Sequence, residues 1–231
     1  MKRRAALPPE TLRAWLSHPI LGRLRREAPG THYHSGIVAT IAERGAAALG
    51  LDALYVQTGA RFHDIGKLYR PELFQENQRA SDPLAEWGAV ERARAIIAHV
   101  REGLALAKSI RLPEELACFI AEHHGRRVLR GLYEEARAAA TDGNPPSLAD
   151  FTYPGPWPQS AETAVVLFAD AAEAGARVRP PGDTRTLAET LAVMGSEFAA
   201  AGSFDEVPWT EAHWRALADA FAVPLAAALE A

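Results

Sequence analysis

Apolar residues recur at spacings of three and four along nearly the whole chain, and no segment alternates long enough to build a sheet. That period, carried by alanine, leucine and arginine, commits the chain to an all-α fold. It predicts helices over 9–27, 34–50, 51–62, 84–109, 113–124, 126–140, 160–177, 184–201 and 209–229. Pro8-Pro9 precedes the first helix and Pro29-Gly30 marks its end. Pro113 suits a first turn, and Gly125 suits the stop after His123-His124. The stretch TDGNPPSLADFTYPGPWPQS (141–160) breaks the pattern and is too long for an idle turn, so it reads as a functional loop or a linker. The 231 residues read as a single domain, 1–231, with a core over about 30–180 and the terminal helices packed on it.

Polar residues on the apolar faces of these helices carry the functional signal. His34 is followed by Ile37, Val38 and Ile41, which sets it on an apolar stripe. His99 comes three residues after Ile96, and His123 shares a face with Leu116, Phe119 and Ile120. Asp170 lies with Thr163, Val166 and Leu167 on one side of AETAVVLFADAAEAGA. The segment ARFHDIGKLYRPELFQENQ (60–78) adds His63 beside Asp64 at the end of an apolar run. That pair is either a bland contact on a solvated turn or two ligands aimed at one ion. A buried carboxylate without a partner costs several kcal/mol or takes up a proton. A divalent cation supplies the missing charge, and imidazoles mixed with carboxylates suit Fe, Mn, Zn or Co better than Mg or Ca. His18, before Pro19, and His213, beside Trp214, read as structural or surface residues. His32 lies two positions from His34, near the metal-binding face.

Composition narrows the partners. A formal net charge of -4 implies no general affinity for DNA or a membrane surface. An anionic substrate therefore needs a local basic or metal-rich site. Cys118 is the only cysteine, which excludes an intrachain disulfide and a thiolate cluster, and its apolar neighbours mark it as a buried thiol. The start MKRRAALPPE lacks an apolar stretch of the secretory type. No run approaches the roughly 18 apolar residues of a membrane span. The expected location is cytoplasmic.

The order of these residues resembles a known family. His34, His63-Asp64, His99, His123-His124 and Asp170 are similar to the seven-ligand pattern of binuclear HD-domain phosphohydrolases. The likeness is greatest to the PgpH-type HD domain, the cytoplasmic part of seven-transmembrane proteins that hydrolyse cyclic di-AMP. APGTHYHS (28–35), HDIGKLYRPELFQENQ (63–78), IIAHVREGLALAK (96–108), AEHHG (121–125) and FTYPGPWPQSAETAVVLFADAAEA (151–174) follow that family's block order over about residues 8–228. Three departures stand out. His32 is additional to the family's Tyr-x-His entry, RASDPLAEWGAVER (79–92) replaces an Asn-Pro-His segment, and Arg126-Arg127 stands where the family has small hydroxyl residues. The membrane part is absent, so the chain is either a piece of a larger protein or a free-standing relative.

The resemblance implies an HD-domain helical bundle with two divalent transition metals, iron or manganese. His34, His63, Asp64 and Asp170 would hold one. His99, His123 and His124 would hold the other, with Asp64 bridging. A water between two such cations loses a proton near neutral pH, and the cations neutralise phosphate charge in the transition state. The implied reaction is hydrolysis of cyclic di-AMP to pApA, with Asp64 and Lys67 as catalytic residues. Lys67, Arg126 and Arg127 are the candidate substrate contacts; for the two arginines the alternative is a solvated helix face. Glu76-Asn77-Gln78 reads as a brace over the site, and Tyr153-Pro154-Gly155-Pro156 as a rigid wall. Cyclic di-GMP or a short oligonucleotide is the alternative substrate, although the chain lacks a Gly-Tyr-Pro motif. A di-iron oxygenase of the same superfamily and a non-catalytic nucleotide sensor are alternatives of other classes. Trp209 and Trp214 either cap the core or meet a partner.

Overall fold

A computed structural model describes residues 7–78, 83–140, 145–177, 185–207 and 209–229. The Met1-Lys2-Arg3-Arg4 start, the first residues of the 79–92 replacement segment, residues 141–144 and the first position of the expected 184–201 helix lie outside them. Among the described residues the elements are α1 (Pro9–Leu16), α2 (Pro19–Glu27), α3 (Pro29–Ala48), α4 (Ala53–Phe62), α5 (Ala89–Ser109), α6 (Glu114–Glu122), α7 (Arg130–Ala139), α8 (Ala161–Arg177), α9 (Leu187–Ala200) and α10 (Glu211–Leu229). Short 3-10 turns span Ile65–Tyr69, Pro71–Leu73, Gln75–Asn77 and Leu148–Phe151. The described residues contain no strand, only an isolated bridge between Val128 and Thr152. None of their helices is long and apolar enough to cross a membrane.

Helix α8 is the axis of the bundle. Every residue from Ala161 to Glu173 is buried, because its small and apolar side chains let α3, α4, α6, α9 and α10 pack on all sides. A helix apolar over most of its circumference sits inside, and Glu162, Asp170 and Glu173 are buried with it. One core cluster runs from Leu12 to Leu225 and includes Phe62, Phe119, Phe168 and Phe221. Trp214 caps it, edge-on to Phe168 at 5.1 Å, with Trp209 stacked on Phe204. Cys118 is buried as expected.

Several helix boundaries differ from the sequence expectation. The helix expected over 9–27 is two helices. His18 precedes Pro19 and so avoids the helical region, and its Nδ1 accepts a bond from Ile20 N at 3.2 Å to cap α2. Pro29-Gly30 does not end a helix; Pro29 opens α3, where a missing N–H costs nothing. Asn77 Oδ1 then accepts from Thr31 N at 3.1 Å, satisfying one of the free amides of that first turn. Helix α5 starts at Ala89 rather than 84. Helix α7 starts at Arg130 rather than 126, because residues 127–129 pair their backbone with the 151–153 segment. Tyr153 N donates to Arg127 O at 2.9 Å, and Leu129 N to Phe151 O at 2.8 Å.

The turn after α4 fixes the distance from Asp64 to α5. A Cβ on Gly66 would lie 1.9 Å from His99 O and 2.5 Å from Gly103 N. Only glycine lets this turn seat directly on the backbone of α5. That contact holds Asp64 against His99.

Candidate metal centre

Five elements deliver side chains to one buried centre. His34 comes from the apolar stripe of α3, and His63 is the C-terminal cap of α4, followed by Asp64. His99 comes from the middle of α5. His123 caps α6 and His124 follows it; Asp170 comes from α8. The side chains fall into two adjoining groups, His34, His63 and Asp170 in one, and Asp64, His99, His123 and His124 in the other. Within each group the ligand atoms lie within 4.8 Å of one another. Asp64 faces both. Its Oδ1 is 3.3 Å from His99 Nε2 and 3.5 Å from His123 Nε2, while its Oδ2 is 3.2 Å from His63 Nε2 and 3.5 Å from His34 Nε2. Asp170 divides similarly, with Oδ1 3.1 Å from His34 Nε2 and Oδ2 3.4 Å from His124 Nδ1.

The rings are locked in one tautomer from behind. Nδ1 of His63 donates to Ala60 O at 2.6 Å, Nδ1 of His99 to Ile96 O at 2.7 Å, and Nδ1 of His123 to Ile120 O at 2.9 Å. A carbonyl can only accept, so each ring proton is committed away from the centre and each Nε2 lone pair points into it. The lone pairs of His99 and His123 then face each other across 3.1 Å, an arrangement that a cation relieves. His63 Nε2, Asp64 Oδ1 and His124 Nδ1 are buried without a hydrogen-bond partner. Orphaned atoms converging on one point, drawn from imidazoles and carboxylates, fit divalent transition-metal ions.

Electrostatics sets the charge state. Burial works against ionised Asp64, but Lys67 and His63 outweigh it and hold its pKa well below the usual carboxylate range. Asp170 is held down in the same way, chiefly by its bond from His34. Burial pushes His99 down to about 3 against the pull of Asp64, and it drives His124 well below its ordinary value. His34 goes the other way: burial lowers it, yet bonds to Asp170 and Glu173 lift it to about 9. Two carboxylates and the imidazoles of His99 and His124 thus stand in their metal-binding forms at neutral pH.

Lys67 lies at the mouth of this centre, with Nζ 2.8 Å from both Asp64 Oδ2 and Glu76 Oε1. Burial opposes its charge, but those two carboxylates raise its pKa above the ordinary lysine value. Tyr153 packs against His124 with ring centroids 4.1 Å apart and the planes tilted by 33°. Arg126 is exposed beside the Tyr153–Pro156 segment, and Arg127 lies over the Phe198 ring at 5.1 Å. His18 and His213 cap helices away from the centre. His32 also points elsewhere, with Nε2 3.1 Å from Nη2 of Arg61.

Two supporting carboxylates escaped the sequence reading. Glu173 Oε2 accepts from His34 Nδ1 at 2.8 Å, and its other oxygen from Arg177 Nε at 2.6 Å. Glu122 Oε2 accepts from Thr163 Oγ1 at 2.6 Å and Gln159 N at 2.8 Å, tying the end of α6 to α8. Glu173 stands three residues after Asp170, so a second acid on the same buried face was the available signal.

A family model described as HD domain matches residues 31–175, which contain all seven of these side chains. The chain belongs to the HD-domain family. Among curated relatives of this HD domain, the cyclic-di-AMP phosphodiesterase PgpH of Bacillus subtilis is 36% identical over 162 residues, 70% of this chain and 22% of that protein. The PgpH of Listeria monocytogenes is 35% identical over 162 residues, again 70% and 22%. A Synechocystis protein without a described function is 39% identical over 169 residues, 69% of this chain and 20% of its own. The chain thus spans about a fifth of the length of these relatives. The crystal structure of the L. monocytogenes PgpH HD domain in complex with cyclic-di-AMP superposes with a TM-score of 0.83 at 29% identity, covering 91% of this chain and 97% of that one.

Proposed function

We propose that this HD domain is a metal-dependent phosphodiesterase that opens cyclic di-AMP to pApA. The observation that carries the reading is Asp64, one buried carboxylate presenting an oxygen to each half of the histidine cluster. The names of the PgpH relatives, and the cyclic-di-AMP held by the Listeria HD domain, support the substrate.

In this reading His34, His63 and Asp170 would hold one divalent ion, iron or manganese, and His99, His123 and His124 a second, with Asp64 available to both. Such ions, when bound, acidify water and offset the charge of a phosphodiester. The protein's own residues do the positioning. The backbone carbonyls of residues 60, 96 and 120 fix the rings so that no reorganisation is needed when charge develops. Lys67 brings a positive charge beside Asp64 and is shared with Glu76, its Nζ 2.8 Å from an oxygen of each. Tyr153 walls the His124 side. Arg126, exposed at the rim, is the candidate grip for the second phosphate, whereas Arg127 contributes through its contact with Phe198.

The test is hydrolysis of cyclic di-AMP by the purified chain with added manganese, with and without chelator. Cyclic di-GMP and pApA run alongside, and Asp64→Ala is the control. Formation of pApA, abolished by chelator and by Asp64→Ala, is the expected result. No turnover of any of the three by protein with metal confirmed bound would overturn the proposal.

A further inference from the structure

Of the three histidines that the metal centre leaves unused, His32 has the unusual partner. Arg61 donates to its Nε2 at 3.1 Å, so that ring nitrogen carries no proton and brings no negative charge. Arg61 is half-buried, and among the described residues no carboxylate lies within ion-pair distance of it. Its Nη1 lies over Gly36, where a Cβ would approach to 2.8 Å, so the guanidinium is seated in the wall of α3. A guanidinium withdrawn from water is costly unless an anion pairs with it, and its forked donors match carboxylate and phosphate oxygens.

The same two residues line a cavity of about 250 Å³ whose other walls include Ile37, Ile41, Pro224 and Ala228. One unpaired cation in a mostly apolar recess is the pattern of an orienting group in a small-molecule site. We propose that this cavity between α3, α4 and α10 binds a small organic anion, a carboxylate or phosphate group carried on a compact apolar body. The site is distinct from the metal centre: His34, two residues beyond His32, faces Asp170 and Glu173 instead.

Calorimetric titration of the full chain with benzoate, phenyl phosphate, neutral benzamide and inorganic phosphate tests this, before and after chelation. Benzoate or phenyl phosphate is expected to bind at one site at least 10-fold more tightly than benzamide or inorganic phosphate. The stronger of the two identifies the preferred oxyanion. This binding is expected to persist after chelation, which removes any anion held by metal, and to weaken at least 10-fold in Arg61→Gln. Thr40→Trp fills the recess from an exposed position on α3 and is expected to do the same without touching the guanidinium, so the test survives if Arg61→Gln fails to fold. Failure of both organic anions to bind overturns the proposal. So does benzamide binding as tightly as benzoate, or wild-type affinity in both folded variants.

Discussion

His34 and Glu173, 139 residues apart in the chain, meet through a buried 2.8 Å bond from Nδ1 to Oε2. The other oxygen of Glu173 is held by Arg177, so the carboxylate is clamped between a candidate ligand and a guanidinium. Partners of this kind orient a metal-binding imidazole and raise its basicity. Glu173→Gln keeps the shape and loses the charge. Metal affinity measured by calorimetry is expected to fall about 10–100-fold. Unchanged affinity would assign Glu173 to packing alone.

Asp64 is expected to matter more than any residue behind the ligands, because each of its oxygens faces a different half of the cluster. Asp64→Asn retains volume and removes the charge the two halves share. On the proposed function, turnover of cyclic di-AMP should drop by at least about 100-fold, beyond what loss of an outer partner costs. Circular dichroism should stay that of the parent, and bound metal counted after gel filtration should fall.

The pH dependence of the metal-free protein follows from two histidines shifted in opposite directions. His34 stands at about 9 when folded against 6.5 ordinarily, so its contribution is fully present below 6.5 and lost as pH rises through 9. His99 stands at about 3 against 6.5, so the unfolded chain binds the extra proton and stability declines as pH falls from 6.5 towards 3. Asp64 and Asp170, both held below 3.8, act in the same sense further into acid. Melting temperatures recorded with chelator should therefore peak near pH 6.5. His34→Gln should flatten the alkaline limb; a limb left unaltered would refute the assignment.

Gly66→Ala tests the contact between the turn and α5. The added methyl meets backbone at His99 and Gly103 rather than a side chain that can swing away. Overpacking of this kind costs about 1–3 kcal/mol or more. Urea denaturation should register that loss, and metal affinity should fall with it as His99 and Asp64 are forced apart.

Much of the molecule is legible in one dimension. The 3.6-residue period makes the chain helical, and the same period assigns His34, His99, His123 and Asp170 to buried faces, since facing inward is a local property of a helix. The His63-Asp64 pair and the blocks around it carry the family pattern. Helix ends were less legible, because Pro19, Pro29 and the 127–129 segment take their roles from bonds to their surroundings. Which faces meet is not encoded locally. Packing α3 against α8 joins His34 to Glu173, and seating Gly66 on α5 brings Asp64 to His99. The same packing turns His32 away to Arg61, though it lies only two residues from His34. On a helix two residues are about 200° of rotation, which separates neighbours in sequence as surely as folding joins residues 139 apart.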